Sequence, residues 1–165
     1  MKHRWSRRGL LAAAASGLFL CGAALADDTA TLTVTATVPA SCQLTVGPTL
    51  AFGTLSMVGN TDAQGNIGWV CTNGFNTSIK LGGGTSGNIA ARTMGGPGSL
   101  AYQLYTNSGR TTVFGDGTTG STVAVSGVGY GTPGTVVVYG RVLQANAAAA
   151  LAGLYTDTVL VTILF

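Results

Sequence analysis

The chain contains no glutamate, and its single histidine, His3, lies in the basic stretch that opens it. Charge is scarce throughout: 8 Lys+Arg against 5 acidic residues, all of them Asp, give a formal +3 over 165 residues. Even that excess is local, because Lys2, Arg4, Arg7 and Arg8 all precede residue 27. Beyond it, Lys80, Arg92, Arg110 and Arg141 stand against Asp27, Asp28, Asp62, Asp116 and Asp157, a net of −1. Four scattered cations cannot form the clustered basic surface that nucleic acid requires, which excludes nucleic-acid partners. Without His or Glu past residue 26, neither a histidine general base nor a carboxylate–histidine relay can be built. No feature of the sequence pairs the remaining aspartates, so no catalytic residue is assigned and the chain is read as a non-enzyme. The same shortage leaves no ligand set for a metal, and no cofactor is expected.

The basic excess belongs to a leader. Lys2 to Arg8 form a positive n-region, Gly9 to Leu25 an apolar run, and Ala24-Leu25-Ala26 an A-x-A cleavage signature, placing the cut between Ala26 and Asp27. The apolar run is short for a membrane-spanning helix, which needs about 20 residues. Arg7-Arg8 has a twin-arginine look, so Sec and Tat export both remain open. The reading is a signal peptide over residues 1–26 and an exported protein with no membrane anchor after cleavage.

Export decides how the cysteines read. Cys21 is discarded with the leader, leaving Cys42 and Cys71, an even count in an oxidising compartment, and hence an expected disulfide. Closing the loop between them is worth about 3.5 kcal/mol in the chain-entropy model. The spacing is not that of a redox C-x-x-C pair, so the bridge is read as structural. Gly115-Asp116-Gly117-Thr118-Thr119-Gly120 matches G-x-G-x-x-G. A dinucleotide loop needs that pattern to open a helix, whereas here a strand-like run follows, so this segment and Gly82-Gly83-Gly84 are read as loops.

What the chain does have is β-type periodicity. Short runs rich in Thr, Val, Ile and Tyr alternate and are separated by Gly, Asn, Ser and Asp. Ile67, Trp69 and Cys71 share a face, as do Thr77, Ile79 and Leu81, then Leu100, Tyr102 and Leu104, and Val123 with Val125. Residues 135–143 are apolar on both faces, as a central strand would be. Gln144 to Ala152, alanine-rich and closed by Gly153, reads as a short helix or an ordered loop. The Gly-rich stretches 82–98 and 115–134 read as loops. The expected fold is all-β, a single sandwich.

Both ends are distinctive. Thr29 to Val38 alternates strictly, with Ala30, Leu32, Val34, Ala36 and Val38 on one side and threonines on the other, enough for a strand about 30 Å long. At the other end, residues 155–165 read as a strand with Tyr155, Val159, Val161, Ile163 and Phe165 on one face. An apolar strand at an edge must be covered, or it is an aggregation hazard.

One set of segments, taken in order, resembles a known family. These are Cys42, Phe52-Gly53, Cys71, Arg92-Thr93-Met94, Leu100-Ala101-Tyr102-Gln103-Leu104-Tyr105, Tyr139-Gly140-Arg141 and the block from Gly153 through Tyr155, Asp157 and Thr158 to Ile163. Together they resemble the spore coat protein U domain, a family that includes the subunits of archaic chaperone–usher pili such as the Csu pilus of Acinetobacter. The resemblance implies an immunoglobulin-like β-sandwich that lacks its last strand and is completed by a donor strand. A periplasmic chaperone would lend that strand, an outer-membrane usher would receive the subunit, and a neighbour's N-terminal extension would replace the chaperone in a fibre of homologous subunits. Carried onto this sequence, residues 27–41 are the extension, Ala30, Leu32, Val34, Ala36 and Val38 the donor set, and residues 42–165 the sandwich. The C-terminal strand of Tyr155, Val159, Val161, Ile163 and Phe165 would border the acceptor groove.

Three functional readings follow. The first is a fimbrial subunit exported to the periplasm and the cell surface, in a shaft or minor position, since a tip adhesin is expected to carry a further domain. The second is a self-complemented secreted coat or matrix protein, with residues 29–38 as its own first strand. The third is a sugar-binding sandwich using Tyr105, Phe114 and Tyr130 with polar loops.

Overall fold

A computed structural model describes residues 27–164; the expected leader, Ala26 of the expected cleavage site included, and Phe165 lie outside the described residues. The chain forms two units, Met1–Ala36 and Thr37–Phe165. In the first, residues 27–36 carry no regular secondary structure and are exposed, Asp27 included.

Among the described residues the second unit is all-β but for one short α-helix and a 3-10 turn at Gly84–Ser86. Its strands are β1 (Cys42–Val46), β2 (Thr61–Cys71), β3 (Asn76–Leu81), β4 (Arg92–Gly95), β5 (Ser99–Tyr105), β6 (Val123–Ser126), β7 (Gly134–Val142) and β8 (Val161–Ile163). Helix α1 spans Gln144–Ala149. The strands form two antiparallel sheets, one ordered β1-β2-β7-β5-β4 and the other β6-β3-β8. The apolar parity seen in sequence is the cause. Ile67, Leu100, Tyr102, Leu104, Val136, Val138 and Val142 from the larger sheet are buried with Ile79, Leu81 and Val125 from the smaller. β7, apolar on both faces, is the central strand of the larger sheet. The turn after β2 carries Gly74 at φ 75 and a Phe75 N–H to Thr72 O bond of 3.2 Å, and it moves the chain from one sheet to the other. Cys42 and Cys71 face each other at the end of the β1–β2 ladder and form a disulfide.

Four expectations differ from the structure. Residues 82–98 are not all loop: Arg92–Gly95 pairs with β5 as β4. Its Arg and Thr read as polar, but Arg92 sits at an inward position and is fully buried. The helix stops at Ala149, because Ala150 turns extended (φ −77, ψ 145) and no side chain caps either end. The C-terminal strand is continuous only over Val161–Ile163, which pairs with β3. Upstream, Thr156 pairs instead with Gly95 of β4 in the other sheet, so the segment changes sheets and cannot keep one ladder. Residues 29–38 have no ladder partner among the described residues. Alternation specifies which side of a strand is apolar, but a ladder also needs a second edge.

Candidate functional site

The core of the sandwich is open along one side. The opening is an apolar groove of about 1090 Å³ with Ile67, Val138, Leu104, Tyr102, Leu100 and Met94 as its floor and Leu81 and Val161 from the smaller sheet as its far wall. Two irregular segments form its lips, residues 48–55 on one side and residues 150–159 on the other.

The first lip lies on a strip of small residues. A Cβ at Gly140 would come within 2.8 Å of Phe52 Cζ and 2.9 Å of Leu50 Cδ2, and one at Gly65 within 3.1 Å of Leu50 Cβ. The missing side chains are thus what admits Leu50 and Phe52, and the Phe52 ring meets Tyr102 edge to face at 6.2 Å. This lip is held by side chains alone. Gly47 N–H donates to Asn66 O at 2.9 Å, but from residue 48 to residue 55 no backbone group bonds to another backbone group among the described residues.

The second lip is pinned at a few points. Thr156 exchanges both backbone bonds with Gly95 at 2.9 Å, and Leu160 O accepts from Gly82 N–H at 2.9 Å. Asp157 lies between them. Its Oδ2 accepts from the Tyr102 hydroxyl at 2.6 Å, and its Oδ1 accepts from Thr85 N–H at 2.7 Å, the Thr85 hydroxyl at 2.6 Å and Thr158 N–H at 2.8 Å. Gly84 makes room for this carboxylate: it sits at φ 68, and a Cβ there would fall 2.0 Å from Asp157 Oδ2. Partial burial pushes the Asp157 carboxyl up, but the donors from Thr85, Tyr102 and Thr158 outweigh it and hold the group below its ordinary value. Burial, with the Asp157 carboxylate second, drives the Tyr102 phenol well above its ordinary range.

Behind Tyr102, Arg92 is fully buried with no carboxylate in contact. Its Nε and Nη2 donate to Gly82 O at 2.9 and 2.7 Å, Nη2 also to Phe114 O at 2.7 Å, and Nη1 to Gln103 Oε1 at 2.5 Å. The guanidinium thus ties β4, β5 and the loop carrying Phe114 to the Gly82 end of β3, fixing the groove's floor against its far wall.

Of the expected site residues, Tyr155, Val159, Val161 and Ile163 all fall on the half-buried, inward side of the C-terminal segment, and the first three line the groove. Leu32, Val34 and Val38 are between 78% and 86% exposed, and Ala30 and Ala36 are exposed as well. The sugar-site trio does not form one surface, because Phe114 is fully buried beneath Arg92 while Tyr130 is exposed. The Gly115–Gly120 segment is a turn in which Asp116 Oδ1 accepts from the N–H groups of Thr118 and Thr119 at 2.8 Å. Sequence reasoning missed the first lip and the Asp157 and Arg92 anchors as working parts. One signal was present: Asp157 has the parity of Tyr155, Val159 and Val161, which places a carboxylate on an inward face. Among the described residues no three His, Cys, Asp or Glu side chains come together.

Fold and site define a class, an all-β two-sheet sandwich whose apolar core is open along one side between two backbone segments with few partners. The chain belongs to the Spore Coat Protein U domain family, whose domain matches residues 28–162. Comparison with curated proteins gives no match. Among solved structures, the fold is similar to a chain in the CsuC–CsuE chaperone–tip adhesion subunit pre-assembly complex of the archaic chaperone–usher Csu pili of Acinetobacter baumannii. The TM-score is 0.57 at 23% identity, over 78% of this chain and 40% of that one. The present chain therefore spans less than half the length of that relative.

Proposed function

We propose that this protein is an exported fimbrial subunit that polymerises by donor-strand exchange. The observation that carries the proposal is the groove itself. A strand laid between the two lips would cover the apolar floor and meet backbone groups that have few partners, while its alternate side chains point inward, which is the physics of β-augmentation. The chain also carries a matching insert, since Ala30, Leu32, Val34, Ala36 and Val38 form an apolar edge that is exposed in the subunit. In this reading the groove is filled first by a periplasmic chaperone, a partner supported by the chaperone–subunit complex that the fold resembles. At an outer-membrane usher the neighbouring subunit's residues 29–38 then replace it, and the fibre emerges at the cell surface.

The test uses residues 39–165 produced in the periplasm. Addition of a peptide of residues 29–38 should raise the melting temperature, and the same peptide carrying Val34→Asp should not. A domain that is stable alone and indifferent to the peptide would overturn strand donation and favour the self-complemented coat protein.

A further inference from the structure

The loops at the two ends of the sandwich carry exposed apolar side chains, and the course of the strands assigns each end a different neighbour. β2 runs from Thr61 to Cys71, roughly 33 Å at about 3.3 Å per residue, so its ends mark opposite ends of the domain. At the Cys71 end the chain enters through Ser41, which exchanges bonds with Thr72 (Thr72 N–H to Ser41 O at 2.9 Å, Ser41 N–H to Thr72 Oγ1 at 3.1 Å). The loop between β6 and β7 is held there by Gly129 N–H to Cys71 O at 3.2 Å, and it leaves Val128 and Tyr130 about half exposed. At the Thr61 end, Gln144 holds the preceding loop through Met57 O at 2.9 Å and Asn60 Oδ1 at 3.0 Å. That loop leaves Val58 97% exposed, and Leu151 and Leu154 stand exposed beside the same groove mouth. No charged residue occurs in 56–60, 127–133 or 150–156, so covering these loops buries no ion.

The C-terminal segment runs from the Thr61 end, where Thr156 pairs with Gly95, toward the Cys71 end, where β8 pairs along β3. A donated strand antiparallel to it would run the other way, and its C-terminal end would leave the groove at the Thr61 end. Only residues 39–41 then connect it to the donor's own sandwich, a tether of at most about 11 Å. The donor's Cys71 end is thereby brought against the acceptor's Thr61 end. A parallel insert would instead bring two Cys71 ends together, where the acceptor's own arm leaves, and would leave Val58 and Leu154 uncovered. This step rests on strand donation.

We infer that consecutive copies of this chain dock a second time outside the groove: Val128 and Tyr130 of the donor pack on Val58, Leu151 and Leu154 of the acceptor. The contact is heterologous and non-closing, as a linear fibre requires.

The experiment uses fibres of the full chain carrying a photo-crosslinking phenylalanine analogue in place of Tyr130. Irradiation should yield, by mass spectrometry, intermolecular links from position 130 to residues 56–58 or 151–154. Val58→Asp, at a position outside the groove lining, should abolish the links to residues 56–58 while fibres still form and the 29–38 peptide still stabilises the domain. Val128→Ser probes the other side and should weaken them. Fibres in which position 130 links to position 130, or to neither segment, overturn the docking and leave strand donation standing. Unchanged links to residues 56–58 in the Val58→Asp variant overturn it equally. A peptide without effect together with absent fibres overturns strand donation, and the docking with it.

Discussion

At the scale of single residues, two polar groups hold an apolar site in shape. Arg92 spends its donors on Gly82 O, Phe114 O and Gln103 in the interior. Arg92→Met would leave Gly82 O and Phe114 O without a donor, each a desolvated group costing about 1–3 kcal/mol, so a loss of about 2–5 kcal/mol is expected by urea denaturation. Arg92→Lys should recover little of it, because a compact ammonium cannot reach both carbonyls and the amide at once. Asp157 supplies a pH signature. Its folded carboxyl is held below the ordinary value of about 3.9, so the unfolded chain takes up the proton first. The stability this group contributes is complete above that value and is lost as pH falls through the lower folded one. Asp157→Asn should therefore lower the melting temperature at neutral pH and flatten its fall below a pH of about 4. A residual slope should persist, because the hydrogen bond from Arg141 also lowers Asp62, and the Thr119 and Thr118 amides lower Asp116.

At the scale of elements, legibility followed the origin of each element's stability. β3, β5 and the Ile67–Cys71 end of β2 bury one face with period two, and their alternation was readable directly, while β7 was readable as a long apolar run. β4 was not, since its inward positions are Arg92 and Met94 and the first has a charge that only its tertiary partners satisfy. The lip of residues 48–55 was hidden for a similar reason. It forms no ladder, and its position depends on Gly140 and Gly65 on other strands. The Cys42–Cys71 bridge was legible from compartment and count, and it joins β1 to β2. Replacing both cysteines by serine should cost about 2–4 kcal/mol, read as a lower denaturation midpoint, while the 29–38 peptide still raises the melting temperature of the surviving fold. A midpoint unchanged under non-reducing conditions would show that the bridge contributes nothing.

At the scale of the whole molecule, scarcity of charge and an open core belong together. Past residue 26 the chain is nearly neutral, so its contacts must come from apolar area and backbone hydrogen bonds rather than from steering by charge. Val34→Asp in the full chain tests this. Val34 is exposed in the subunit, so the melting temperature of the domain should not move. In the groove the same side chain would be an unpaired carboxylate in an apolar floor, a penalty of several kcal/mol. Ladders of higher multimers in unboiled gels should therefore disappear. A variant that still forms ladders would place the arm outside the groove.

The sequence by itself determined the all-β class, the disulfide pair and the apolar edge of the arm, because period and composition are local properties that survive without a partner. Only the tertiary structure decided that the core opens along one side, that Arg92 and Asp157 fasten its walls, and that residues 48–55 form a lip. Each of these depends on which backbone groups and side chains distant in sequence come within bonding distance, and no one-dimensional pattern encodes that.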